Sequence, residues 1–165
     1  MPGQEGRTES RVVVGVDGSP SSLSALRWAI RQAEFTDAAV DAVIAWHYPA
    51  PTGGYGWAPT SIPASFDFKE NAEKILAEAI SEGGLPGSLV PVRAVVAEGN
   101  PARVLLDVAE GADLLVVGSR GHGGFTEALL GSVGQHCVHH AHCPVVVVRD
   151  EHATAQAAGD AEVRL

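Results

Sequence analysis

Along this chain, short apolar runs alternate with segments whose apolar residues return every three or four positions. Arg11–Asp17 (RVVVGVD) is a β-branched run of the kind that forms a strand buried on both faces. Ser19-Pro20 starts a helix, with serine as cap and proline in the first turn, and Leu26, Ala29, Ile30 and Ala33 give it one apolar face. Val40–Trp46 reads as a second strand, and residues 47–64, rich in proline, glycine and aromatics, as a long loop of the length that is often functional. Phe68, Ala72, Ile75, Leu76 and Ala79 form the face of a second helix, which Gly83-Gly84 ends. Leu89–Ala97 reads as a third strand, Asn100-Pro101 as the capped start of a helix running to about Glu110, and Ala112–Gly118 as a fourth strand. A glycine-rich loop, a helix from Ser132 to Ala141 and a last strand, Cys143–Arg149, complete the series. Residues 1–10 and 150–165 lack a periodic apolar face and read as disordered tails around one domain over 11–149.

Strands alternating with helices predict an α/β fold, a single doubly wound parallel sheet with helices on both faces. Such sheets take ligands beyond the carboxyl ends of their strands, where the strand order reverses. Two loops lie at carboxyl ends, Asp17-Gly18-Ser19 after the first strand and Gly118–Gly124 after the fourth. If those strands are neighbours, both loops face one crevice.

The second loop carries the chemistry. It reads Gly118-Ser119-Arg120-Gly121-His122-Gly123-Gly124, and Gly131-Ser132 further on opens a helix. Glycines let backbone N–H groups approach a ligand closely, and a helix start adds free N–H groups and the positive end of the helix dipole. With the Ser132 hydroxyl these groups form a phosphate cradle that needs no lysine. The chain has no GxxxxGK[ST] and no GxGxxG after its first strand, and its lysines, Lys69 and Lys74, lie on the second helix.

Composition narrows the partners. At 165 residues, 45% hydrophobic and 19% charged, the chain suits one globular domain with a sizeable core. A net charge of −9 argues against nucleic acid or an anionic membrane as partner, since both need a basic footprint. Two cysteines, Cys137 and Cys143, are too few for a disulfide scaffold and fit a reducing, cytoplasmic setting. The first ten residues lack the apolar core of a secretory signal, and no apolar run is long enough to span a bilayer.

The spacing Gly118-x2-Gly121-x9-Gly131-Ser132, the opening VVVGVDGS (Val12–Ser19) and the ending HHAHCPVVVV (His139–Val148) resemble the universal stress protein family, over about residues 11–149. The resemblance implies a five-stranded sheet in the order 3-2-1-4-5, of the adenine nucleotide alpha-hydrolase-like kind. It implies binding of ATP or another adenine nucleotide. Gly118, Gly121, Gly131 and Ser132 would hold phosphates and ribose, with His122 beside them. Asp17 would lie near them and help place Mg²⁺, Ala45 would lie against adenine, and Gly15, Val117 and Val133 would line the pocket. It also implies a homodimer through the last strand, Cys143–Arg149. The function expected is that of a nucleotide-dependent regulatory, stress-response protein. The alternatives are a slow Mg²⁺-dependent ATPase, a nucleotide-free interaction module, or a binder of cyclic AMP or AMP. Phosphoryl transfer is disfavoured, because neither a general base nor paired Mg²⁺ carboxylates are evident.

Several residues carry plainer readings as well. Asp17 can cap its own turn, and His122 can point to water. His136, His139, His140 and His142 read as a solvated helix end before they read as a metal site. Trp46, Tyr48, Tyr55 and Trp57 are either a lid over the ligand or a protein-contact patch.

Overall fold

The computed structural model describes residues 9–48, 63, 65–121 and 130–150. The β-branched runs pair as five strands: β1 (Arg11–Gly15), β2 (Ala39–Trp46), β3 (Val92–Glu98), β4 (Leu114–Gly118) and β5 (Val145–Val148). They form one sheet in the order β3-β2-β1-β4-β5, and every pairing is parallel. The crossovers contain α1 (Pro20–Thr36), α2 (Phe68–Gly83), α3 (Pro101–Val108) and α4 (Ser132–His140).

Alternate residues of the strands feed two cores, as the pleat requires. Val12, Val14, Val40, Ala42, Ile44 and Val116 pack with α1 and α2 on one face. Val13, Val43, Leu115 and Val117 pack with α3 and α4 on the other. The helices therefore start where the sequence placed its caps. Ser19 accepts from the Ser22 N–H at 3.2 Å, with Pro20 in the first turn. Asn100 accepts from Ala102 and Arg103 at 3.1 and 3.2 Å, with Pro101 following. Asp67 caps α2 by accepting from the Glu70 N–H at 2.9 Å.

Strand ends differ from the sequence reading by a few residues, for local reasons. β1 stops at Gly15, because Val16 and Asp17 turn toward α1, although the Val16 N–H still reaches the Val43 carbonyl at 2.8 Å. β3 begins at Val92 and not at Leu89: Pro91 has no N–H to give the ladder, Gly87 has a φ of 80°, and Leu89 is exposed. Pro144 likewise delays β5 to Val145. β4 begins at Leu114 because Ala112 still belongs to the turn after α3, its N–H bonded to the Ala109 carbonyl at 3.0 Å. Most of the 47–64 loop and the bulk of both tails lie outside the described residues.

One charge is buried in the sheet. Asp41 on β2 is held by Arg11 of β1 at 3.0 Å and by Arg93, its register partner on β3, at 2.7 Å. Arg11 also donates to the Glu110 carbonyl at 2.8 Å, so the amino-terminal end of the sheet is tied to the turn that ends α3. A carboxylate there is tolerable because both its oxygens are paired.

The two cysteines are free thiols in the α3–α4 core. Burial, reinforced by neighbouring Cys143, pushes the Cys137 thiol up to about 11. At that pKa about one Cys137 in a thousand is ionised at roughly pH 8, and the thiolate is the reacting species. Aromatic disulfide titration of the native protein should therefore leave Cys137 unmodified and modify it on unfolding. Rapid native labelling of Cys137, located by peptide mapping, would contradict this packing.

Candidate functional site

At the carboxyl ends of β1, β2 and β4 a cavity of about 440 Å³ opens between α2 on one side and α3 with the start of α4 on the other. It lies where the strand order reverses, with β1 next to β4. Gly15, Asp17, Ala45, Val117, Gly118, Gly121, Gly131, Ser132 and Val133 all line it. These positions come from four separate segments of the sequence, and the fold brings them to one crevice. His122, also chosen from the sequence, lies outside the described residues.

The first loop is set by local hydrogen bonds. Asp17 Oδ1 accepts from the Ser19 N–H at 2.9 Å, and the Asp17 N–H donates to Ser22 Oγ at 3.3 Å. Gly18 between them has a φ of 83°, a conformation costly for residues with a side chain. Asp17 thus ties its own turn and lines the cavity as well. Its other oxygen faces the second loop, since a Cβ on Gly121 would stand 2.7 Å from Asp17 Oδ2.

The second loop ends at a helix start of a different kind from the others. α1, α2 and α3 each have a capping side chain, whereas α4 is capped by Gly131, which has none. The Gly131 N–H is spent on the Ser119 carbonyl at 2.8 Å, which closes the loop on itself. Ser132, Val133 and Gly134, the first turn of α4, border the cavity. First-turn N–H groups have no partner inside a helix. The dipole and these amides make that rim attractive to an anion.

The opposite wall is apolar. Phe68, Asn71, Ala72 and Ile75 form one face of α2, and with Ile44, Trp46, Pro101 and Leu105 they enclose the space beyond Ala45. From the sequence Phe68, Ala72 and Ile75 read as one apolar helix face and Trp46 as part of a lid or a contact patch, while Asn71 and Leu105 carried no assignment. The crossover from β2 to β3 was the available signal, since its helix must cover the end of β2. Trp46 and Phe68 belong to an edge-to-face aromatic chain, Trp46–Tyr48–Phe68–Phe66, with ring centroids 5.4, 5.7 and 4.8 Å apart. Tyr55 and Trp57 lie outside the described residues. Arg120 also lines the cavity and supplies a cation at its polar end.

Of the histidines, His47 lines the cavity, while those of α4 and the turn after it lie elsewhere. His136 and His140 stack with ring centroids 4.4 Å apart on the exposed side of α4, and His142 lies 3.5 Å from Glu110. Among the described residues, no group of three or more His, Cys, Asp or Glu side chains could hold a metal ion. Among them, too, no helix is long and apolar enough to cross a membrane.

Strand order, helix placement and a ligand-sized crevice at the order reversal define a doubly wound α/β domain with its site at the switch point. The sequence profile of the universal stress protein family matches residues 9–149, and the chain belongs to that family. It is 34% identical over 157 residues to a universal stress protein of Mycobacterium tuberculosis, an alignment covering 88% of this chain and 50% of that protein. The chain spans about half the length of the curated relatives it matches. Among solved structures, a universal stress protein in complex with cAMP is 27% identical, with a TM-score of 0.64 over 87% of this chain and 98% of that one. A universal stress protein family protein of Arabidopsis thaliana with AMP bound shares the fold at 22% identity, a TM-score of 0.52, and coverage of 87% and 94%.

The glycines have different causes, and substitution should separate them. A Cβ on Gly118 would meet Ser21 Oγ at 2.6 Å and the Ser21 carbonyl carbon at 2.9 Å, so α1 itself must shift. Gly118→Ala should cost about 1–3 kcal/mol by overpacking. At Gly131, φ is −68° and ψ 164°, and among the described residues a Cβ would meet nothing nearer than 3.7 Å. Gly131→Ala should stay within about 1 kcal/mol of the parent. Urea unfolding of the two variants is the check, and equal losses would refute the distinction.

Proposed function

We propose that the cavity binds an adenine nucleotide, with its phosphates at Gly121, Gly131 and Ser132 and its base against Ala45 and the apolar wall, and that the bound nucleotide regulates the protein. The observation that carries this is the first turn of α4 at the cavity rim, whose cap Gly131 has no side chain to offer and is required by no packing contact among the described residues. A glycine with ordinary backbone angles, whose added Cβ would make only ordinary contacts of 3.7–3.8 Å with the backbone of Ser119, Arg120 and Gly121, suits the close approach of a ligand. The apolar wall suits a purine, and a few polar groups at one end are the usual composition of a cofactor site. The cAMP complex of the relative at 27% identity supports the same ligand class.

ATP with Mg²⁺ is the specific ligand we infer. Mg²⁺ takes one or two carboxylates and completes its octahedron with phosphate oxygens and water. Asp17 fits that pattern: it is a carboxylate lining the cavity at the Gly121 loop. The metal would neutralise charge between Asp17 and the phosphates. The chain's own groups at this end are backbone amides, the Ser132 hydroxyl and Arg120, which hold an anion without activating water. Regulation by retained ligand is therefore favoured over turnover. Phosphate release in a single-turnover assay should be far below the roughly 1–100 s⁻¹ of kinases. A kinase-like rate that Asp17→Asn abolishes with binding intact would make the protein an ATPase.

Mass spectrometry of small molecules released by denaturing the purified protein tests the ligand class directly. Calorimetry should then show Gly131→Val losing at least about tenfold in affinity, because its side chain would fill the phosphate position while the fold persists. Gly121→Val should lose as much, but its side chain also collides with Asp17. Unchanged affinity in Gly131→Val would overturn the phosphate assignment.

We also propose that two copies pair through the last strand, Cys143–Arg149. Its paired part, β5, lies at the sheet edge, and Val147 is exposed there. An apolar strand edge invites a partner strand. Light scattering should give twice 17.1 kDa at micromolar concentration, and a monomer would refute the pairing.

A further inference from the structure

Ser21 lies in the first turn of α1, buried and outside the lining of the cavity, so it cannot touch a ligand held there. Its hydroxyl nevertheless meets the second loop. Ser21 Oγ accepts from the Arg120 N–H at 3.3 Å, lies 3.5 Å from Ser119 Oγ, and donates to the Val148 carbonyl at 3.5 Å. The Ser119 N–H donates to the same carbonyl at 2.8 Å.

This contact occurs where the loop leaves the sheet. Gly118 is the last residue of β4, paired with Val148. At Arg120 and Gly121 the backbone has no ladder to define it, yet both line the cavity. The Arg120 amide is fixed instead by a side chain from another element. The approach that permits this is tight enough to require glycine, since a Cβ on Gly118 would overlap Ser21. A buried hydroxyl that accepts from the loop and donates to the strand has both functions of its oxygen in use.

We propose that Ser21 is the positioning residue for the phosphate end of the site: it holds the Arg120 N–H, and so fixes the turn that presents Arg120 and Gly121 to the ligand. The proposal rests on the nucleotide reading above. Because Ser21 supports only the loop and not the apolar wall, its loss must depend on whether the ligand carries phosphate. A side chain needed merely for folding would weaken all ligands alike.

Calorimetry with adenosine, AMP and Mg·ATP on the full chain separates these. Ser21→Ala should weaken AMP and Mg·ATP by about three- to tenfold, the worth of one intramolecular hydrogen bond, and leave adenosine within about twofold. Ser24→Ala removes another buried hydroxyl from α1 and should change none of the three affinities. Equal weakening of all three ligands by Ser21→Ala, no weakening at all, or the same phosphate-dependent loss in Ser24→Ala would overturn the role given to Ser21. If the parent protein binds none of the three, the nucleotide reading itself fails, and the role of Ser21 falls with it.

Discussion

The reversal of strand order between β1 and β4 is the constraint on which the rest of this molecule depends. Right-handed crossovers carry the chain outward from β1 through β2 to β3, with α1 and α2 on one face. To extend the sheet further the chain must return to the other side of β1, which puts α3 and α4 on the opposite face. Above β1 and β4 the helices then diverge, and the strand ends border the cavity. The crevice is a consequence of connectivity, and what the sequence decides is which side chains border it. Small residues stand where backbone must be approached, at Gly15, Gly118, Gly121 and Gly131. Larger apolar ones stand on α2 and α3.

Those glycines look alike in a sequence and differ in physical cause. A Cβ on Gly15 would press on the Leu105 side chain at 3.0 Å, and one on Gly118 would strike the first turn of α1. Both therefore have packing reasons that hold with or without a ligand. Gly121 is confined by the Asp17 carboxylate, which is itself a feature of the site. At Gly131 an added Cβ would make only ordinary contacts of 3.7–3.8 Å among the described residues, so packing there gives no reason for glycine, and the proposed ligand does. A motif of spaced glycines is thus part scaffold and part site, and only the surroundings of each tell them apart.

Much of this was legible from residue order. The β-branched runs and the pairs Ser19-Pro20 and Asn100-Pro101 placed the strands and helix starts, because strand burial and helix capping are local in sequence. Nine of the chosen positions came together because each stands at the end of an element, and a parallel sheet collects such ends on one side. The apolar wall was not legible, since Phe68, Ala72 and Ile75 read equally well as core and only the lie of α2 over β2 exposes part of that face. Asp41 was missed for a related reason: a lone acid in an apolar strand says nothing until Arg11 and Arg93 arrive from its two neighbours. Ser21 was invisible too, because its partners at 119, 120 and 148 are remote in the chain.

The anion site proposed for a chain of net charge −9 poses an electrostatic question, which the geometry bears on. The overall field repels nucleotides and slows their encounter, so retention must come from short-range groups. Backbone amides and the dipole of α4 act within a turn of the helix start, where long-range repulsion matters little. Their orientation is set by the fold and costs nothing to arrange when a ligand arrives. A lysine in the same place would add charge but also a flexible stem, and it would attract any polyanion. In the proposed site, fixed dipoles would select instead by position, rewarding only a phosphate that reaches the rim of α4 while its base fills the apolar end. Asp17 would sharpen that selection, because a carboxylate beside such a cradle penalises bare phosphate and favours a phosphate that arrives with its cation. The acidity of the protein and the proposed chemistry of its cavity are therefore compatible: one keeps unspecific anions away, and the other would recognise a single shape of anion at close range.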